Sequence, residues 1–142
     1  MIADLMALQE IRSAWKGVEA LRERIQVGLF ASVGLIGGVY PCSVADAAHN
    51  LPFLHAYSVL NDTLQQLASE GKFACKSIFL GKLLQESEKV LPWNDFALIK
   101  SGADCRNDLA HRGDVLPRGD CWRYIDAIKT ELTLWGILTA SE

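Results

Sequence analysis

Arg106, Asn107 and His111 are the residues of this chain best suited to chemistry. A permanent cation and a titratable imidazole stand five positions apart in Arg106-Asn107-Asp108-Leu109-Ala110-His111. Those two side chains suffice to cut RNA without a metal. The 2′-hydroxyl, which only RNA has, attacks the adjoining phosphate once a base takes its proton. The unperturbed pKa of His suits that exchange near neutral pH. Arg keeps its charge, and its planar fork matches a phosphate that gains charge in the transition state. No metal and no cofactor is required by this reading.

The elements that must hold these side chains are helices. Leu8, Ile11, Trp15, Val18, Ile25 and Leu29 recur at threes, fours and sevens, which predicts a long amphipathic first helix from an Asp4 cap into the low 30s. Gly34, Gly37 and Gly38 are expected to end it, with a connector over 38–50. A second helix is expected from Asn50, with Pro52 in its first turn, through Phe53, Tyr57, Leu60, Leu64 and Leu67 to Gly71. A third is expected over 73–89 with Phe79, Leu80, Leu83 and Leu84 inward, and a fourth over 94–112 carrying the motif. Gly113, Pro117 and Gly119 mark a loop, and Asp120 is the expected cap of a fifth helix reaching Leu138 through Trp122, Ile125, Leu132 and Trp135. The expected fold is all-α, an antiparallel four- to five-helix up-and-down bundle formed by a single domain over 1–142.

On the fourth helix Ile99, Ala103, Arg106 and Ala110 share one stripe, while His111 shares a face with Asp104, Asn107 and Asp108. Asn107 is thereby in reach of one imidazole nitrogen. Arg106 and His111 point about 140° apart around an ideal helix, so two copies facing each other across a twofold axis would close a site better than one copy does. A structural account competes with this one. Asp108 and Arg112, four apart, can form an ordinary surface ion pair, and a His in the last turn of a helix is favoured by the dipole alone.

The Arg-Asn…Ala-His-Arg core, near the end of a helix in the C-terminal third of a short helical chain, resembles the HEPN superfamily. Its signature is Arg, a polar residue that is often Asn, then His a few positions on. The resemblance covers mainly residues 94–139. It implies a HEPN-like helical domain and a metal-independent endoribonuclease acting as a homodimer. Arg106 would stabilise the pentacoordinate phosphate, His111 would exchange protons, and Asn107 would position the base or the substrate. Arg112 becomes a phosphate anchor and Trp122 the candidate for a base contact. The implied products are a 2′,3′-cyclic phosphate and a free 5′-hydroxyl, in a toxin–antitoxin or antiviral-defence setting with an antitoxin or regulatory protein as partner. Some members carry a Tyr shortly after the His; here Arg112, Gly113 and Asp114 follow, with no Tyr before Tyr124. The alternative from a different class is a helical dimerisation or binding module with no chemistry.

Composition bounds these readings. Half of the 142 residues are apolar and 22% are charged, which is the balance of a globular chain rather than a disordered one. A net charge of −3 argues against a protein that coats nucleic acid by bulk electrostatics and leaves open a local site, where the field in a cleft decides. Between 106 and 123, Arg106, Arg112, Arg118 and Arg123 stand against Asp108, Asp114 and Asp120, a local surplus of one positive charge. Cys42, Cys75, Cys105 and Cys121 form no close pair, so zinc spacing is absent and reduced thiols in a cytoplasmic protein are expected. Cys42, His49 and His55 fit no common metal site. The opening Met-Ile-Ala-Asp has no basic region of the kind that starts a signal peptide. Val27 to Ala45 is uncharged, but its glycines, Pro41 and polar last third do not suit a membrane span, so no membrane partner is expected.

Overall fold

The computed structural model describes residues 1–36 and 41–140, and the side chains of 1–25 and 48–140. It contains five helices, α1 (Leu5–Ile36), α2 (Pro41–Ser69), α3 (Leu80–Ser87), α4 (Phe96–Arg112) and α5 (Arg118–Leu134), and no strand among the described residues. The fold is all-α.

α1 starts where its sequence says it should. The Asp4 carboxylate accepts the backbone N–H groups of Met6 at 3.0 Å and Ala7 at 3.2 Å, satisfying donors that have no partner inside the helix. A second carboxylate from the far end of α2 helps: Glu70 accepts Ala3 N–H at 2.7 Å and Asp4 N–H at 3.3 Å. Gly34, one of the three expected terminators, lies inside α1, which runs on to Ile36, and Gly37 and Gly38 lie outside the described residues.

α2 is longer than the sequence suggests. It begins at Pro41, so Asn50 lies inside it and Pro52 is an interior helical residue rather than a first-turn one. The reason is local. Pro41 occupies the first helical position that proline favours, and Ala45, Ala47 and Ala48 carry the helix forward. α3 is shorter than expected, because α2 ends on paired bonds from Gly71 N–H to Ala68 and from Lys72 N–H to Leu67, and residues 73–79 then run without helical structure. Phe79, expected inward, precedes α3 in an extended conformation and is 73% exposed. α5 begins at Arg118 after Pro117, which leaves Asp120 in the first turn, where a carboxylate complements the helix dipole. It ends at Leu134, before the paired bonds of Gly136 to Thr133 and Ile137 to Leu132.

α2 is the central element and packs against each of the other four helices. Its Phe53, Tyr57, Leu60, Leu64 and Leu67 are wholly buried, as are Trp15 of α1, Leu83 and Leu84 of α3, Ile99 of α4, and Ile125, Ile128 and Leu132 of α5. α1 approaches α5 through long side chains. Arg22 pairs with Asp126 at 2.7 Å, Glu19 with Lys129 at 3.3 Å, and Arg12 donates to the Ile137 carbonyl at 2.7 Å. No described helix is long and apolar enough to cross a membrane.

Candidate functional site

α4 owes its position to three devices. Its N-terminus is capped twice: Asp95 accepts Leu98 N–H at 3.1 Å, and the buried carboxylate of Glu131 on α5 accepts the N–H groups of Asn94 at 2.6 Å and Asp95 at 2.9 Å. At mid-helix, Gly102 lets α4 lie directly on two tyrosines. A Cβ built there would fall 2.7 Å from Tyr124 Cδ1 and would overlap the Tyr57 hydroxyl. That hydroxyl donates to the Ile99 carbonyl at 2.9 Å, and Tyr124 Oη shares a hydrogen bond with Ser101 Oγ at 3.1 Å. Burial pushes both phenols above the ordinary value; for Tyr57 the charge of Arg106 pulls the other way. At its C-terminus α4 stops on Gly113, whose φ of 71° lies in the left-handed region that favours glycine.

The loop that follows is also fixed. Asn50, buried on α2, donates from Nδ2 to the Leu116 carbonyl and accepts Leu116 N–H at Oδ1, both at 3.1 Å. The turn between α4 and α5 is thus held to the molecule's central helix, and the residues on either side of it keep a fixed spacing.

The motif side chains sit on this frame as follows. Ile99 and Ala103 are buried, Arg106 is half-buried, and Ala110 is exposed, so the stripe climbs from core to surface with the guanidinium at the boundary. Asn107, His111 and Arg112 are exposed. No described hydrogen bond joins Asn107, Asp104 or Asp108 to the imidazole; Asp104 instead pairs with Lys100 at 3.1 Å. The ion pair between Asp108 and Arg112 that a purely structural account invokes is not among the described salt bridges. Nor does any of Arg106, Arg112, Arg118 or Arg123 form one among the described residues.

Trp122 lies on α5 within the protein's own packing. The Arg22 guanidinium stands 4.7 Å from its ring centre, and His49 meets it edge-on at 5.2 Å. Its Nε1 is buried without a hydrogen-bond acceptor among the described residues. Arg123 lies 5.8 Å from the Tyr124 ring.

Surface hollows lie between α1 and α2, beside the end of α2, and along the outer faces of α1 and α5; none of these is lined by Arg106 or His111. Among the described residues no group of His, Cys, Asp and Glu could hold a metal ion. The side chain of Cys42 lies outside the described residues.

Sequence reasoning missed Asn50, Glu131 and the Tyr57–Gly102–Tyr124 contact, the groups that place α4 and its following loop. Asn50 reads as a helix start, and a buried Glu at a helical position has no local signature. Comparison with family models, curated proteins and solved structures returns no match.

Proposed function

We propose that this chain is a metal-independent endoribonuclease of HEPN type. One observation carries the reading. Arg106, Arg112, Arg118 and Arg123 lie on the end of α4 and the start of α5, on both sides of a loop clamped to α2, and none forms a salt bridge among the described residues, although Asp108, Asp114 and Asp120 share the segment. Arginines without a described salt bridge beside a clamped turn suit an anionic ligand, and phosphate is the anion that their planar forks match best. His111 stands in solvent in the same segment, where a substrate hydroxyl can reach it.

In this reading His111 takes the 2′-hydroxyl proton, the 2′-oxygen attacks phosphorus, and the 5′-oxygen leaves as a hydroxyl after protonation. Arg106 holds the equatorial oxygens as charge accumulates on them. Asn107 positions the base or the substrate, and Arg112 grips a neighbouring phosphate. Because Arg106 and His111 diverge by about 140° around α4, the site closes when two copies present this face to each other. The bundle is then of the HEPN kind, the molecule works as a cytoplasmic homodimer on RNA, and an antitoxin or regulatory protein restrains it.

The second reading is a non-catalytic helical dimerisation or binding module. It draws on the same divergence, and on the absence of Arg106 and His111 from the hollows described above. Incubation with a structured RNA and its 2′-deoxy analogue, in excess chelator, separates the two. The nuclease cuts only the ribose strand, leaves cyclic phosphate ends, and loses activity in both Arg106→Ala and His111→Ala. Absence of cleavage across RNA substrates selects the binding module, and cleavage that survives both substitutions removes the site.

A further inference from the structure

A second surface of the chain, remote in sequence from the arginines, combines an apolar prong with its own cations. Residues 71–85 include Lys72, Lys76 and Lys82 and no Asp or Glu, in a chain whose net charge is −3. Within this segment Ile78 is 65% exposed and Phe79 73% exposed. They are not loose ends. Phe79 N–H donates to Ser77 Oγ at 3.0 Å, and the Phe79 carbonyl accepts Leu83 N–H at 3.0 Å, so the prong is anchored at the head of α3. Two adjacent large apolar side chains held in water carry a standing cost that a partner surface would remove.

The same chain carries a surface of complementary chemistry. Between α1 and α2 runs a hollow of about 180 Å³ with an apolar floor of Ala7, Ile11, Ala14 and Val59. Glu10 and Asp62 line it as well; both are exposed, and neither forms a salt bridge among the described residues. The small alanines leave room for a large side chain, and the two carboxylates await cations. Exposed Met6 and Glu10 line an adjoining hollow together with the polar Gln9 and Ser13. On the prong, Lys76 precedes Ile78 by two residues and Lys82 follows Phe79 by three. Lys76 has no described ion pair, and Lys82 has only an exposed contact with Glu86 at 3.1 Å.

We propose that the Ile78–Phe79 prong of one copy seats in the α1–α2 groove of a second copy of this chain, with Lys76 and Lys82 meeting Glu10 and Asp62. This contact is separate from the arginine face and does not depend on the ribonuclease reading. It is an association of unlike surfaces, so it either closes reciprocally or extends into longer assemblies.

The test is mass in solution, by light scattering and sedimentation, across concentration and salt. The wild type associates, and raising salt from about 0.05 to 0.5 M weakens association roughly three- to tenfold, as screened surface pairs require. Phe79→Ser weakens it by at least about tenfold through lost apolar burial. The paired variants Glu10→Lys/Asp62→Lys and Lys76→Glu/Lys82→Glu each lose this association alone, and regain it when mixed, because the acidic prong of one then fits the basic groove of the other. Arg106→Ala leaves association through the prong unchanged. A wild type that stays monomeric to about 200 µM overturns the proposal. Association untouched by Phe79→Ser and by both charge reversals overturns it too. Binding of a monomeric wild type to phosphatidylserine vesicles would assign the prong to a lipid surface instead, and likewise overturns it.

Discussion

The side-chain amide of Asn50 grips both backbone groups of Leu116 at 3.1 Å, tying the loop after His111 to the middle of α2. A single residue on the central helix thereby sets the spacing between the end of α4 and the start of α5. Asn50→Ala leaves a buried N–H and a buried carbonyl without these partners and is expected to cost about 1–3 kcal/mol, read by urea denaturation. If the loop positions the arginines, the variant also loses RNA cleavage at temperatures where it remains folded.

Gly102 and Tyr57 form a coupled pair. Gly102→Ala forces a methyl into the Tyr57 hydroxyl and the edge of the Tyr124 ring, and a cost of about 1–3 kcal/mol or more is expected from overpacking. Tyr57→Phe alone gives up one hydrogen bond to Ile99, about 1 kcal/mol. The double variant is expected to be more stable than the sum of the two changes allows, since removing the hydroxyl relieves the closest overlap, while Tyr57 Cζ and Tyr124 Cδ1 still stand 2.7 Å from the methyl. A double-mutant cycle with no coupling would show that α4 does not rest on this contact.

Glu131 is buried, and its carboxylate serves two backbone N–H groups ahead of α4. Glu131→Gln turns one acceptor into a donor that faces an N–H, and is expected to cost about 2–3 kcal/mol. Amide exchange at Asn94 and Asp95 should accelerate before that of the α5 core.

Glu70 supplies a pH dependence with a definite sign. The Ala3 N–H, and after it the Gln66 amide, hold its carboxyl below the ordinary value of 4.5. A depressed acid stabilises the folded state above its unfolded pKa, and that contribution fades as pH falls through the lower folded value. Thermal midpoints measured downward from pH 5 should therefore drop more steeply in the wild type than in Glu70→Gln. Parallel curves would remove Glu70 as a contributor.

Arg112 and Arg118 flank the loop without a described salt bridge. Replacing either with Ala should weaken RNA binding across sequences and reduce the slope of log affinity against log salt by about 0.7 per lost contact with a single strand. An unchanged slope would place the phosphates elsewhere.

The parts of this fold that repeat locally were legible in the sequence. Ile11, Trp15 and Val18 on α1, and Phe53 through Leu67 on α2, announce buried faces by their spacing, and the structure buries them. Asp4 signals its cap because the bonds it makes are only two and three residues away. Pro52 misleads, since a proline in a helical pattern reads as a beginning, and Phe79 misleads because an apolar residue beside Leu80 reads as core. Asn50 with Leu116 and Glu131 with Asn94 were illegible for a different reason: each pair joins groups far apart in the chain, and only the packed helices bring them together. For the candidate site, sequence spacing put Arg106 and His111 on one helix at diverging angles. That none of the four arginines forms a salt bridge among the described residues is a tertiary fact.

Among the described residues α1 has its backbone beside α2 alone and reaches α5 through the side chains of Arg22 and Glu19, while its Ile11, Trp15 and Val18 are buried in the common core. A helix seated by such side chains cannot lift away without opening the interior it covers. Deuterium should therefore reach the amides of Trp15 and Val18 on the same slow clock as those of Leu60 and Leu64.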